Sequence, residues 1–147
     1  MNGGAGNDVL IGDVNINTIA GQGGADFIIG GNGGDLLIGG GGADYFAFGS
    51  ITDSPGGPAM TDLIADFTPA DGDVVDVSPI DANVYMDGNQ AFVFASAFVF
   101  GTAGQAVLSY DAGTNTTTLS LDVNADAVAD FVLTMTGNIG QGGWFVL

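Results

Sequence analysis

The chain has 147 residues and a formal charge of -17, and every charged side chain is an aspartate. Without Lys or Arg it lacks a footprint for phosphate backbones or anionic lipid, and without His or Cys it lacks the usual zinc, haem and copper ligands and the base of a nucleophilic triad. What remains is carboxylate, carbonyl, hydroxyl and amide oxygen, the ligand set of a hard cation.

A hydrophobic fraction of 46% and a mean hydropathy of +0.40 are too high for a disordered acidic tail. A folded domain that depends on a cation is the expectation. The first residues show no basic segment followed by an apolar one, so no N-terminal signal peptide is expected.

From Gly3 a nine-residue unit runs five times without a gap. Residues 3–11 read GGAGNDVLI, 12–20 GDVNINTIA, 21–29 GQGGADFII, 30–38 GGNGGDLLI and 39–47 GGGGADYFA. The first position is always Gly. The sixth is Asp8, Asn17, Asp26, Asp35 and Asp44, and the eighth is Leu10, Ile19, Ile28, Leu37 and Phe46. The first six residues are turn chemistry, and the last three make a short strand whose middle residue points inward. Two units complete one flattened coil, so units one, three and five stack on one side and units two and four on the other. Asp8, Asp26 and Asp44 then form a column with a spacing of about 4.8 Å. Bare carboxylates that close repel by roughly 3–4 kcal/mol at an effective dielectric of about 20. A divalent cation between coils turns that repulsion into a bridge and couples folding to binding. The alternative, a glycine-rich solenoid without metal, leaves the column uncompensated.

This unit resembles the RTX nonapeptide family, whose pattern G-G-x-G-x-D-x-U-x binds calcium in a parallel β-roll. Units one, four and five keep the pattern's glycines and Asp. Unit three has Gln22 for the second Gly, and unit two has Asp13, Asn15 and Asn17 in place of Gly, Gly and Asp. The resemblance implies that Asp8, Asp26, Asp35 and Asp44 ligate several calcium ions. Backbone carbonyls of the same turns would complete the shells, such as those of Gly3, Ala5, Gly21, Gly23, Gly30, Asn32, Gly39 and Gly41. Asn17 joins the second column with an uncharged amide oxygen. Asp53, nine residues after Asp44, is expected to close that column below Asp35, and Asp62 and Asp66 are candidates to cap the final column. An affinity of about 10⁻⁴–10⁻³ M, as in extracellular modules, leaves the chain unfolded until calcium is abundant.

Beyond Gly49 glycine thins out and Phe, Val, Thr and Ala rise. Residues 54–61, with Pro55, Gly56, Gly57 and Pro58, read as a loop. Short β-branched and aromatic runs follow at 63–67, 74–77, 91–100, 106–110, 116–122 and 130–135. The uncharged stretch 88–110 reads as strands rather than a membrane span, because Phe92, Phe94, Phe98 and Phe100 fall at period two. Asp122, Asn124, Asp126 and Asp130 have an EF-hand-like spacing, but Ala127 and Leu133 stand where that loop needs Gly and a bidentate acid. A plain hairpin turn is the stronger reading there. The fold expected is all-β: a parallel β-roll over 1–53, capped by an antiparallel β-sandwich-like domain over 54–147.

ITDSP at 51–55, DLIADF at 62–67, DVVDVSPIDAN at 73–83, NQAFVF at 89–94 and DVNADAVADFVLTMTG at 122–137 look like the C-terminal domain of serralysin-type secreted metalloproteases. The resemblance implies a cap on the roll, a C-terminal signal for type I secretion machinery and an extracellular location. The family's tail is commonly an acid followed by three apolar residues; Phe145, Val146 and Leu147 keep the apolar part and Trp144 replaces the acid. The zinc motif H-E-x-x-H needs residues absent from this chain, so no enzyme activity is expected.

The outward positions of the repeat strands are apolar: Val9, Ile11, Phe27, Ile29, Tyr45 and Ala47 on one face, Thr18, Ala20, Leu36 and Ile38 on the other. Such faces mark contacts. They suggest a secreted calcium-binding structural protein that self-associates into a homo-oligomer or polymer, such as a fibre or surface layer. The alternatives are a detached folding and secretion module of a larger metalloprotease, or a calcium-dependent adhesin. No nucleic-acid partner and no membrane insertion are expected.

Overall fold

The computed structural model describes residues 1–57 and 59–147. Of the 54–61 loop, Pro58 lies outside the described residues. The described residues contain no helix; they form the strands β1 (Asn2–Ala5), β2 (Val9–Ile11), β3 (Thr18–Gly23), β4 (Phe27–Ile29), β5 (Leu36–Gly41), β6 (Tyr45–Ala47), β7 (Asp62–Ile64), β8 (Val74–Asp76), β9 (Val93–Ala95), β10 (Gln105–Asp111), β11 (Thr116–Asp122), β12 (Phe131–Thr136) and β13 (Phe145–Val146). The fold is all-β.

Two sheets face each other. The smaller runs β13-β8-β6-β4-β2, the larger β1-β3-β5-β7-β12-β11-β10-β9. The nine-residue period sets the register: Val9 pairs with Phe27 and Phe27 with Tyr45 in one sheet, Thr18 with Leu36 in the other, all in parallel. The middle residue of each unit points inward, and Leu10, Ile19, Ile28, Leu37 and Phe46 are all buried. The alternation follows from the strand's period of two, and burying these side chains removes roughly 1.5–3 kcal/mol of unfavourable hydration for each.

The roll's ladders run on beyond the repeats. β7 pairs with β5 and β8 with β6, both parallel, so Ile64 and Val75 take the inward slots above Leu37 and Phe46. Hydrogen bonding therefore crosses residues 53 and 54. The antiparallel part is the meander β10-β11-β12, which joins the larger sheet through the parallel pair β12–β7. The core is continuous from Leu10 through Phe46, Phe48 and Phe131 to Phe145. Phe48 meets Phe131 edge-on at 5.3 Å.

Three strand expectations change. The run at 91–100 shortens to Val93–Ala95: Phe92 is buried and Phe94 packs against the core, but the alternation does not carry on to Phe100, which is 81% exposed. β1 forms from turn-type residues because the stacked turns hydrogen-bond along the roll, Gly4 opposite Gln22 and Gln22 opposite Gly40. β13 is only two residues long and is held by β8. Among the described residues no helix is long and apolar enough to cross a membrane.

Candidate metal centre

Asp8, Asp26, Asp35, Asp44 and Asp73 each immediately precede a strand whose second residue is buried, and Asp62 opens β7 two residues before the buried Ile64. One carboxylate oxygen is spent on the preceding coil. Asp26 Oδ1 accepts from Asp8 N–H (2.8 Å), Asp44 Oδ1 from Asp26 N–H (2.9 Å) and Asp73 Oδ1 from Asp44 N–H (3.0 Å). On the other side Asp35 Oδ1 accepts from Asn17 N–H (2.8 Å), and Asp62 Oδ1 from Asp35 N–H (2.6 Å). The columns are thus Asp8–Asp26–Asp44–Asp73 and Asn17–Asp35–Asp62.

The second oxygen has no partner. Oδ2 of Asp8, Asp26, Asp35, Asp44 and Asp62 is buried without a hydrogen bond. The chain supplies no Lys, Arg or His to neutralise these atoms. An uncompensated buried carboxylate is costly, and burial acts accordingly: it raises the carboxyls of Asp35, Asp44 and Asp73 above their ordinary range and Asp62 to about 8. Hydrogen bonds from the neighbouring backbone N–H groups oppose the rise.

The first glycine of each unit faces that oxygen. A Cβ on Gly3, Gly21, Gly30 or Gly39 would lie 2.6, 2.0, 2.5 or 2.3 Å from the Oδ2 of Asp8, Asp26, Asp35 or Asp44. The Gly21 carbonyl reaches the hollow at Gly3 (2.8 Å), and the Gly39 carbonyl the hollow at Gly21 (2.6 Å). A carboxylate oxygen and a carbonyl of the next coil therefore converge on space that only glycine leaves open. Oxygen-only ligands, one charged, in a small hollow fit calcium. Among the described residues no group of three or more carboxylates is placed to hold one ion, so any shell here must draw on backbone oxygen.

The other residues singled out in the sequence are distributed as follows. The carbonyls of Gly23 and Gly41 accept from Gly6 N–H (2.6 Å) and Gly24 N–H (2.9 Å), and the Gly30 carbonyl reaches the hollow at Gly12. Gly3 and Ala5 lie in β1, and the Asn32 side chain meets the Thr52 hydroxyl at 3.4 Å. Asp53 does not stack below Asp35. Its Oδ2 turns back onto the N–H groups of Gly49 (2.7 Å) and Ser50 (3.0 Å), and Asp62 takes that place in the column. Asp66 clamps the N–H groups of Gly39 and Gly40, both at 2.9 Å. Asn17 keeps its backbone place in the column, but its amide oxygen accepts from Asp13 N–H (2.9 Å).

Asp73, beyond the nine-residue repeats, ends the first column. Its Oδ2 accepts from Thr68 N–H (2.8 Å). The signal was the Asp-x-apolar step shared by Asp73–Val75 and Asp44–Phe46, hidden by a separation of 29 residues where the repeats have 18. In the EF-hand-like segment the acids bind their own backbone: Asp122 accepts from Asn124, Ala125 and Ala127, and Asp130 from Val123. That is a self-capped turn.

Comparison with known proteins agrees with this fold. The family model described as Peptidase M10 serralysin C terminal matches residues 1–147. Metalloprotease AprA of Pseudomonas entomophila (strain L48) is 49% identical over 135 residues, 92% of this chain and 27% of the relative. Metallopeptidase AprA of Pseudomonas marginalis is also 49% identical over 92% of this chain, and 26% of that relative. The chain thus spans about a quarter of the length of these relatives. Among solved structures, the AlgE6R2 subunit of the Azotobacter vinelandii mannuronan C5-epimerase matches with a TM-score of 0.62 and 26% identity, over 92% of this chain and 83% of that one. The chain belongs to the Peptidase M10 serralysin C-terminal family.

Proposed function

We propose that this chain is a calcium-binding folding module of a secreted, extracellular protein. Asp8, Asp26 and Asp44 in one column, and Asp35 and Asp62 in the other, would be the charged ligands, with carbonyls such as those of Gly21 and Gly39 completing the shells. The observation that carries this reading is the set of five buried, unpartnered Oδ2 atoms in a chain without a side-chain cation. Calcium supplies the missing charge and stitches successive coils together. Export through a type I system and an extracellular location rest on membership of the serralysin C-terminal family. The proteolytic chemistry of the full-length relatives is not part of this proposal, since His and Glu are absent from this sequence.

Circular dichroism with calcium titration, after treatment with chelator, tests the reading. The expected result is a cooperative gain of β signal on adding calcium. Full folding in excess chelator would refute it.

A second reading, self-association, draws on the outer face of the smaller sheet. Val9, Phe27, Tyr45 and Val74 form one row, with Val9 69% exposed and Phe27 stacked on Tyr45 at 5.5 Å. Ile11 pairs with Ile29 in a second row, and the face holds a groove of ≈ 720 Å³. Light scattering during the same titration separates the two readings: a jump with calcium supports a polymer, and folding without a jump supports a module that acts as a monomer.

A further inference from the structure

The second repeat departs from its neighbours in backbone as well as in sequence. In units one, three, four and five the second and fourth residues all have positive φ, from 81° at Gln22 to 136° at Gly33. Gln22 shows that this turn is kept even where the glycine is lost. In unit two neither Asp13 nor Asn15 has a positive φ.

Side chains close this different turn. Asp13 N–H donates to Asn17 Oδ1 (2.9 Å), and Asn17 Nδ2 donates back to Asp13 Oδ1 (3.1 Å). Asn15 N–H and Asn15 Nδ2 donate to Asp13 Oδ1 (2.9 Å) and Oδ2 (3.0 Å). The reciprocal pair fixes the orientation of the Asn17 amide, because a flip would set its nitrogen against the Asp13 N–H. Asn17 Oδ1 occupies the place held elsewhere by an unpartnered carboxylate oxygen: a Cβ on Gly12 would lie 2.2 Å from it and 2.0 Å from the Gly30 carbonyl. Asp8, Asp26, Asp35 and Asp44 each keep an unpartnered oxygen at that place, whereas the oxygen of Asn17 is already taken from within its own turn. It also carries no charge.

We propose that residues 12–17 form a calcium-free turn, in which the hydrogen bonds among Asp13, Asn15 and Asn17 hold the coil that an ion holds in the other repeats. The second column then takes calcium through Asp35 and Asp62 and not through Asn17, so the two sides of the roll are loaded unequally. This inference rests on the calcium reading of the columns.

Calcium stoichiometry tests it, by isothermal titration of the whole chain, with circular dichroism in saturating calcium confirming that each variant folds. Asp13→Ala is expected to bind as many calcium equivalents as the parent chain. The triple change Asp13→Gly, Asn15→Gly and Asn17→Asp, which restores the repeat pattern, is expected to gain one. Loss of an equivalent in Asp13→Ala would overturn the proposal, as would an unchanged count in a folded triple variant. If the triple variant does not fold, the Asp13→Ala count decides alone. A parent chain that takes up no calcium refutes the calcium reading itself, whereas calcium uptake with a lost equivalent in Asp13→Ala refutes only this inference.

Discussion

At Gly21 a single hydrogen decides whether the hollow between coils stays open. A methyl group there would meet Asp26 Oδ2 at 2.0 Å and the Gly39 carbonyl at 2.6 Å, the two oxygens that face the hollow between coils. Neither can retreat, since Asp26 is held by its backbone contact to Asp8 and Gly39 N–H is clamped by Asp66. Gly21→Ala is expected to cost roughly 1–3 kcal/mol through overpacking. It should move the midpoint of the calcium titration to higher concentration, as read by circular dichroism. Tyr45 offers a second test at this scale. Its hydroxyl donates to Asp76 Oδ2 at 2.5 Å, which stabilises the protonated phenol, and burial and the Asp76 charge act in the same direction. Its pKa is pushed up to about 12. Absorbance titration of the calcium-loaded chain should show one tyrosine ionising near 12. Asp76→Asn should return it toward the ordinary range.

Among the elements, β7 joins two kinds of architecture, parallel to β5 on one side and to the last strand of the meander, β12, on the other. Ser54 fastens this junction. It is fully buried; its hydroxyl donates to the Val132 carbonyl and accepts from Asp62 N–H (2.8 Å), and its own carbonyl accepts from Val132 N–H (2.8 Å). Ser54→Ala leaves the Asp62 N–H buried and unpaired, a loss of roughly 1–3 kcal/mol. Urea unfolding in saturating calcium should show a lower midpoint. The same junction explains what the sequence made legible. The coil was readable while the nine-residue period lasted, because period fixes register, the inward residue and the carboxylate together. Asp62 and Asp73 continue the columns after inserted loops, and with the spacing broken only the local Asp-x-apolar step remained. Asp62 could be proposed as a cap from its nearness to the last repeat; Asp73, at 29 residues from Asp44, looked like any turn acid. The parallel pairing of β7, β8 and β13 was equally hidden, since short apolar runs do not encode strand direction.

On the scale of the whole molecule, seventeen aspartates without a side-chain cation give two different problems. Exposed acids such as Asp71 and Asp87 repel through solvent, and salt screens them over about 3 Å at 1 M. The buried column oxygens are beyond the reach of that screening, and on the proposed calcium reading an ion inside the hollow answers them. High sodium chloride in the presence of chelator is therefore expected to leave the chain unfolded, whereas calcium at low ionic strength folds it. Circular dichroism under the two conditions distinguishes general repulsion from specific sites.

The aspartate stitches between coils all have one polarity. In each, the amide belongs to the earlier coil and the carboxylate to the later one, from Asp8 and Asp26 to Asp44 and Asp73. The main-chain ladder between the same coils runs both ways, with Gly6 N–H donating to the Gly23 carbonyl and Phe27 N–H to the Asp8 carbonyl. Only the aspartate bonds are one-sided. Removing a coil from the C-terminal end would therefore strip the coil before it of a carboxylate acceptor, whereas removing one from the N-terminal end would strip its neighbour of none.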